Sequence, residues 1–241
     1  MLSVLGVEAR KLNRSLALLL AVAAPTLIAV FLFFNMLRAK EGQPWEMWLQ
    51  QSTGIWAFFM LPMRVTALSA LVAHMEHGPK AWDHLRALPV ARWKIYAAKA
   101  FCVLLVIEAM CLLCLLLNIG AIAAAGAIKP AVAATGEMNL AGQFLLMGKV
   151  FAASLLLIGV QLWIALRFSS FVPALAVGIG GTFFSVVAMS ARIGVLSPWQ
   201  MPVNMLATEA WRVTTALGLG CGLGAVVLIL VIAHLSRREV L

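Results

Sequence analysis

The chain has 241 residues, 63% of them hydrophobic and 11% charged, with a formal charge of +9. A mean hydropathy of +1.01 lies far outside the soluble range, and runs of about 20 apolar residues recur, each enough to cross a bilayer core of ~30 Å. The basic excess gathers between those runs, with no soluble domain to carry a groove-reading surface, which excludes nucleic acid as a partner.

In chain order, Leu2, Leu5, Ala9 and Leu12 fall near one face of a helix over 1–15, with Glu8, Arg10, Lys11 and Arg14 mostly on the other. That is the pattern of an interfacial helix rather than a span. No cleavable signal peptide is evident, because the first apolar run begins after Arg14 and exceeds a signal h-region in length. The hydropathy pattern then predicts spans over about 16–37, 53–73, 97–124, 144–166, 171–191 and 213–235. Pro25 and Pro62 mark kink sites in the first two. A polar connection over 38–50 places Trp45 and Trp48 at the membrane interface. The link 167–170 is so short that the fifth span must return antiparallel to the fourth. The fold class is therefore an all-α polytopic membrane protein, a single transmembrane domain over 1–241.

Basic residues orient it. Six spans place eleven of the 18 Lys and Arg on the side of the two termini and six on the other, leaving Arg64 within a span. The positive-inside rule puts both termini and the loop 76–96 in the cytoplasm.

Chemistry-bearing residues are sparse. Cys111 and Cys114 form a C-x-x-C pair inside an apolar run, where thiolates are disfavoured and packing is the reading. His74, Glu76 and His77 spell H-M-E-H, which lacks the spacing that puts two imidazoles on one helical face, so they read as polar residues at the membrane edge and no metal site is assigned. One Asp and four His leave little material for catalysis. There is no G-x-x-x-x-G-K-[ST] loop, so if ATP drives this protein another subunit must bind it.

Two intramembrane charges are more informative. Arg64 and Glu108 each lie about nine or ten residues from the same end of consecutive spans, some 14 Å deep at ~1.5 Å per residue. Unpaired ions at that depth are costly, so the expectation is that they pair or face one polar cavity. In the last span Gly218, Gly220, Gly222 and Gly224 give two overlapping G-x-x-x-G spacings, open to packing within the chain or against a second subunit.

The stretch EHGPKAWDHLRALPVARWKIYAAK, 76–99, holds much of the charge. Gly78 and Pro79 suit a helix start and Pro89 ends it within two or three turns, with Trp82, Leu85 and Leu88 on one side. Arg92, Trp93, Lys94, Tyr96 and Lys99 read as an interface anchor opening the third span. A loop lying on anionic lipid is one reading of the short helix, and a compact docking surface for a partner is the other.

With its Ala87-Leu88-Pro89-Val90-x-Arg92-Trp93-Lys94-x-Tyr96-x-x-Lys99 run, this stretch resembles the first cytoplasmic loop of ABC type-2 exporter permeases. LRFSSFVPALAVGIGG at 166–181 and Pro198-Trp199-x-x-Pro202 are similar to the lantibiotic-immunity branch of that family. His77-Gly78-Pro79-Lys80 stands where relatives often carry an acidic residue followed by Gly-Thr. The resemblance implies a permease subunit, itself non-catalytic, in the bacterial inner membrane. A second permease chain, identical or paralogous, and two ATPase subunits carrying ATP and Mg would complete it. It implies ATPase docking by Trp82, Asp83, His84, Leu85, Arg86 and Leu88, and an extracytoplasmic gate over 192–212 at Pro198, Trp199, Pro202 and Met205. The implied substrate is amphipathic: a peptide antibiotic, a lipid or a drug-like molecule. The alternative is a self-contained secondary transporter or channel, which would favour more intramembrane carboxylates than Glu108 and an internal repeat.

Overall fold

The computed structural model describes residues 2–13, 15–77 and 90–237. Seven helices, labelled here in chain order, account for most of them: α1 (Leu2–Asn13), α2 (Leu16–Arg38), α3 (Trp45–His77), α4 (Arg92–Ile128), α5 (Leu140–Arg167), α6 (Val172–Val187) and α7 (Ala210–Arg237). No strand occurs among the described residues. Helices α2, α3, α4, α5 and α7 are long and apolar enough to cross a membrane, and α6 is a shorter apolar helix of 16 residues. The architecture is an all-α, polytopic membrane fold.

Local chemistry sets the boundaries. Ser15 caps α2, its Oγ accepting from the Ala17 N–H at 3.1 Å, and this separates α1 from the first span. At the other end of α2, Lys129 Nζ donates to the Leu37 and Ala39 carbonyls at 3.1 and 2.8 Å. A cation there satisfies carbonyls that have no partner within the helix. Pro62 follows a π-helical turn, Trp56–Met60, whose extra width gives the proline ring room against the Phe58 carbonyl.

Two spans differ from the expectation of 53–73 and 97–124. Helices α3 and α4 have 33 and 37 residues, about 50 and 55 Å at ~1.5 Å per residue, so their ends stand beyond a ~30 Å hydrocarbon core. The tryptophans placed in a polar connection belong to α3 instead, and Trp48 is buried at 2% exposure among core residues rather than set at the interface. The fifth span, read as 171–191, is α-helical only to Val187 and finishes in 3₁₀ turns at Ala188–Ser190 and Arg192–Leu196.

Packing follows a simple plan. Helix α2 runs along α4, α5 packs against both α3 and α7, and α6 leans on α3. Met36, Trp56, Leu61, Val103, Ile107 and Leu157 are wholly or almost wholly enclosed. Leu19, Phe31, Phe34, Phe184 and Ile229 remain exposed on the outside of the bundle. Because lipid tails are as apolar as leucine, close packing and interhelical hydrogen bonds hold such a bundle together. Gln161 supplies one such link: its amide, with nitrogen donating to the Ala174 carbonyl at 3.2 Å and oxygen accepting from the Gly178 N–H at 3.1 Å, ties α5 to α6.

Candidate functional site: charges at one end and within the bundle

Where α1, α3 and α4 meet, four charged side chains form one cluster. Lys99 of α4 donates to Glu8 Oε2 at 2.7 Å and to Glu76 Oε1 at 2.6 Å. Lys11 of α1 donates to Glu76 Oε1 at 2.7 Å and to Glu8 Oε1 at 3.2 Å. Two ammoniums and two carboxylates therefore balance, each touching both opposite charges. Glu8, Glu76 and Lys99 are almost fully buried, while the Lys11 side chain keeps about a third of its surface exposed.

The geometry explains how ions persist there. Removing a charge from water costs several kcal/mol, and only close, multiply bonded partners offset that cost. Burial alone would lower the pKa of Lys11; hydrogen bonding to Glu76 and the nearby carboxylates outweigh it, holding the ammonium above its ordinary value of 10.5. The protruding ends of α3 and α4 make the placement feasible: Lys99 lies seven residues into α4, about 10 Å from its start.

This cluster corrects two sequence readings. Lys99 is an internal ion-pair partner and not an interface anchor, and Glu8 is buried rather than on a solvated face of α1. The signal was a pair of charges on otherwise apolar helical faces. Glu76, from the H-M-E-H run, is occupied by two lysines.

Arg64 on α3 and Glu108 on α4 are half-buried, and among the described residues no ion pair joins them. Arg64 Nε and Glu108 Oε2 are each enclosed without a hydrogen-bond partner. The expected direct pair fails to form because consecutive spans are not the closest neighbours here. The second half of α3 packs mainly on α5 and α6, and α4 mainly on α2.

The segment after α6 is compact. Gln200 Nε2 donates to the Ser185 carbonyl at 2.7 Å and Asn204 Nδ2 to the Gln200 carbonyl at 2.8 Å, all buried. A Cβ on Gly181 would overlap the Trp199 ring, so ring and helix backbone are in intimate contact. Met205 is buried, between Pro202 and the start of α7. Pro198, Trp199, Pro202 and Met205 thus belong to one folded cap over the ends of α6 and α7. The docking residues read from sequence, Trp82, Asp83, His84, Leu85, Arg86 and Leu88, fall in 78–89, outside the described residues.

The four glycines of α7 divide. Gly220 and Gly224 press on the backbone of Ala153 and of Leu155–Leu156, where α5 is interrupted at Ser154, and α7 itself passes through a π-helical stretch, Gly218–Leu223. Gly218 and Gly222 have nothing within 4 Å of the position a Cβ would take. One G-x-x-x-G spacing therefore packs within the chain, and the other faces outward.

A family model described as ABC-2 family transporter protein matches residues 4–188. The chain belongs to the ABC-2 transporter family. The match takes in α1 to α6 and with them the charge cluster, Arg64 and Glu108. No curated protein and no solved structure matches the chain. As an ABC-2 member, it is a multi-pass transmembrane permease subunit of an ABC transporter, a type of subunit that is generally non-catalytic, and the family implies association with ABC ATPase subunits.

Proposed function

We propose that this chain is the permease of an ATP-driven exporter that moves an amphipathic substrate out of the cell or out of the membrane. The family match over most of the chain carries this reading. The sequence holds no phosphate-binding loop, so ATP and Mg belong to two separate ATPase subunits, docked at Trp82, Asp83, His84, Leu85, Arg86 and Leu88. Two permease chains, identical or paralogous, assemble in the bacterial inner membrane with their termini in the cytoplasm, in keeping with the distribution of Lys and Arg. The similarity of 166–181 and of Pro198-Trp199-x-x-Pro202 to lantibiotic-immunity permeases favours a peptide among amphipathic substrates. Arg64 and Glu108, each with an enclosed atom that lacks a partner, suit the wall of a polar path through the assembly. The cap at Pro198, Trp199, Pro202 and Met205 would gate its outer end.

Co-purification tests this. The tagged chain should bring down an ABC ATPase, and Leu85→Asp should abolish that recruitment while leaving membrane insertion intact. Transport by the chain in vesicles lacking any ATPase would instead establish the self-contained transporter.

A further inference from the structure

The N-terminal helix is held in an unusual way. Of the described α1 side chains, Glu8 and Leu12 are the buried ones, whereas Val7 is 51% exposed and Arg10 lies open. Beside these contacts, an apolar cavity of about 190 Å³ lined by Ala9, Leu12, Ala17, Leu18, Cys102 and Leu105 lies between α1, α2 and α4. Charge therefore joins the apolar packing of Leu5 and Leu12 in fixing α1 to the bundle. Its partners are placed tellingly: Glu76 is the penultimate residue of α3, and Lys99 lies near the start of α4. These helix ends carry the segment 78–89 between them.

We infer that Glu8, Lys11, Glu76 and Lys99 act as a single ion lock that makes α1 move with the ends of α3 and α4, so that displacement of those ends is passed to α1 and to the cavity beneath it. The four are positioning residues for the transport cycle, and the inference rests on the reading that an ATPase acts on the segment between α3 and α4. The lock works because its charges are shared. Each ammonium bridges a carboxylate of α1 and one of α3, and Lys99 brings in α4. A rigid-body shift keeps all four contacts, whereas movement of one helix alone strips a buried charge of its partners.

The experiment has two arms. In the first, Lys99→Met, Lys11→Met, Glu8→Gln and the double variant Glu8→Gln/Lys99→Met are compared by thermal unfolding of the chain alone in detergent. Each single variant should lower Tm. The double variant, which keeps the neutral Lys11–Glu76 pair, should recover at least half of the Lys99→Met loss. A Lys99→Met protein with wild-type Tm, or no recovery in the double variant, would overturn the lock. In the second arm, spin labels at Val7→Cys on α1 and Ser169→Cys in the 168–171 link, in a background where Cys221 is replaced by Ser, report distance in the ATPase complex in nanodiscs. ATP should shift that distance. Lys11→Met and Lys99→Met should lose the shift while still co-purifying the ATPase, and the double variant should regain it. An undiminished shift in the single variants, or no shift in the parent complex, refutes the transmission role. If no ATPase co-purifies with the parent protein, the permease reading fails and takes the transmission role with it. The first arm still decides whether the lock exists.

Discussion

Substituting Gly220 with alanine should damage this protein, whereas the same change two residues earlier should not. A Cβ at Gly220 would lie 2.6 Å from Ala153 Cα and 2.7 Å from its carbonyl carbon, where ordinary contact begins near 3.4 Å. The obstruction is backbone, so no side chain can rotate away and α7 must retreat from α5 by most of an ångström. Overpacking of this kind costs about 1–3 kcal/mol, and the rigid obstacle places Gly220→Ala near the upper end. At Gly224 a Cβ would meet Leu156 N at 2.5 Å and Leu155 C at 2.8 Å, so Gly224→Ala should behave alike. Gly218 and Gly222 face open space, and alanine there should be neutral or gain up to ~1 kcal/mol of helix propensity. With the exposed Cys221 replaced by Ser, the remaining thiols, Cys102, Cys111 and Cys114, are buried and free, so a thiol-reactive dye reports thermal unfolding in detergent. For a chain of this size ~3 kcal/mol corresponds to a Tm lowered by about 6–12 °C. Equal effects at Gly218 and Gly220 would refute the division of the glycines into inward and outward pairs. If Gly218→Ala leaves Tm unchanged but shifts the size of the purified assembly, the outward pair forms a subunit contact.

Lys11→Met should destabilise the chain most at neutral pH. The folded ammonium is held above its ordinary 10.5, so its stabilising contribution is complete below that value and fades as pH rises through the raised value. The Tm gap between wild type and variant should accordingly stay constant over about pH 6–9 and close above about 10.5; a gap that narrows below pH 9 would contradict the assignment. Lys129→Met removes two charge-assisted hydrogen bonds to the carbonyls ending α2 and should cost about 2 kcal/mol, with Lys129→Arg recovering part of it in the same assay. Gln200→Ala leaves the buried Ser185 carbonyl without its side-chain donor and should cost about 1–3 kcal/mol. Limited proteolysis should then cut faster between α6 and α7, and an unchanged cutting rate would show that the cap does not depend on that bond.

Spans were legible in the sequence because lipid imposes one simple rule: backbone polar groups must be satisfied within the segment, and about 20 apolar residues in a helix achieve it. The ends of α3 and α4 were hidden because helix outside the hydrocarbon obeys no such hydropathy rule, and Trp45, Glu46 and Arg92 read equally well as loop. The interruption of α5 at Ser154 left no mark, since Leu and Ala continue through it. Arg64 and Glu108 were conspicuous as charges in apolar runs, yet the pairing inferred from their equal depth did not form, because depth fixes one coordinate and α3 turns towards α5 and α6. The Glu8–Lys11–Glu76–Lys99 cluster escaped for the opposite reason. Its members sit 3 to 91 positions apart, and each had a satisfactory local reading as an interface or loop charge.

The charges of this chain thus fall into two physical classes. Glu8, Lys11, Glu76, Lys99 and Lys129 each bond to partners the chain itself provides, at opposite ends of α4. Arg64 and Glu108 lie between those ends, each with an enclosed polar atom that the chain leaves without a partner. An enclosed donor or acceptor left bare costs about 1–3 kcal/mol, more when charged, and the fold retains both of these ionisable groups inside membrane-crossing helices. Structural needs alone would have selected apolar side chains at both positions, as they did at Val65 and Ile107 beside them. Retaining ions there makes sense for a transport path, where water or a polar group of the substrate supplies the missing bonds. Arg64→Met and Glu108→Leu should therefore leave Tm unchanged or raised while impairing transport. A lowered Tm in both would return these residues to the structural class.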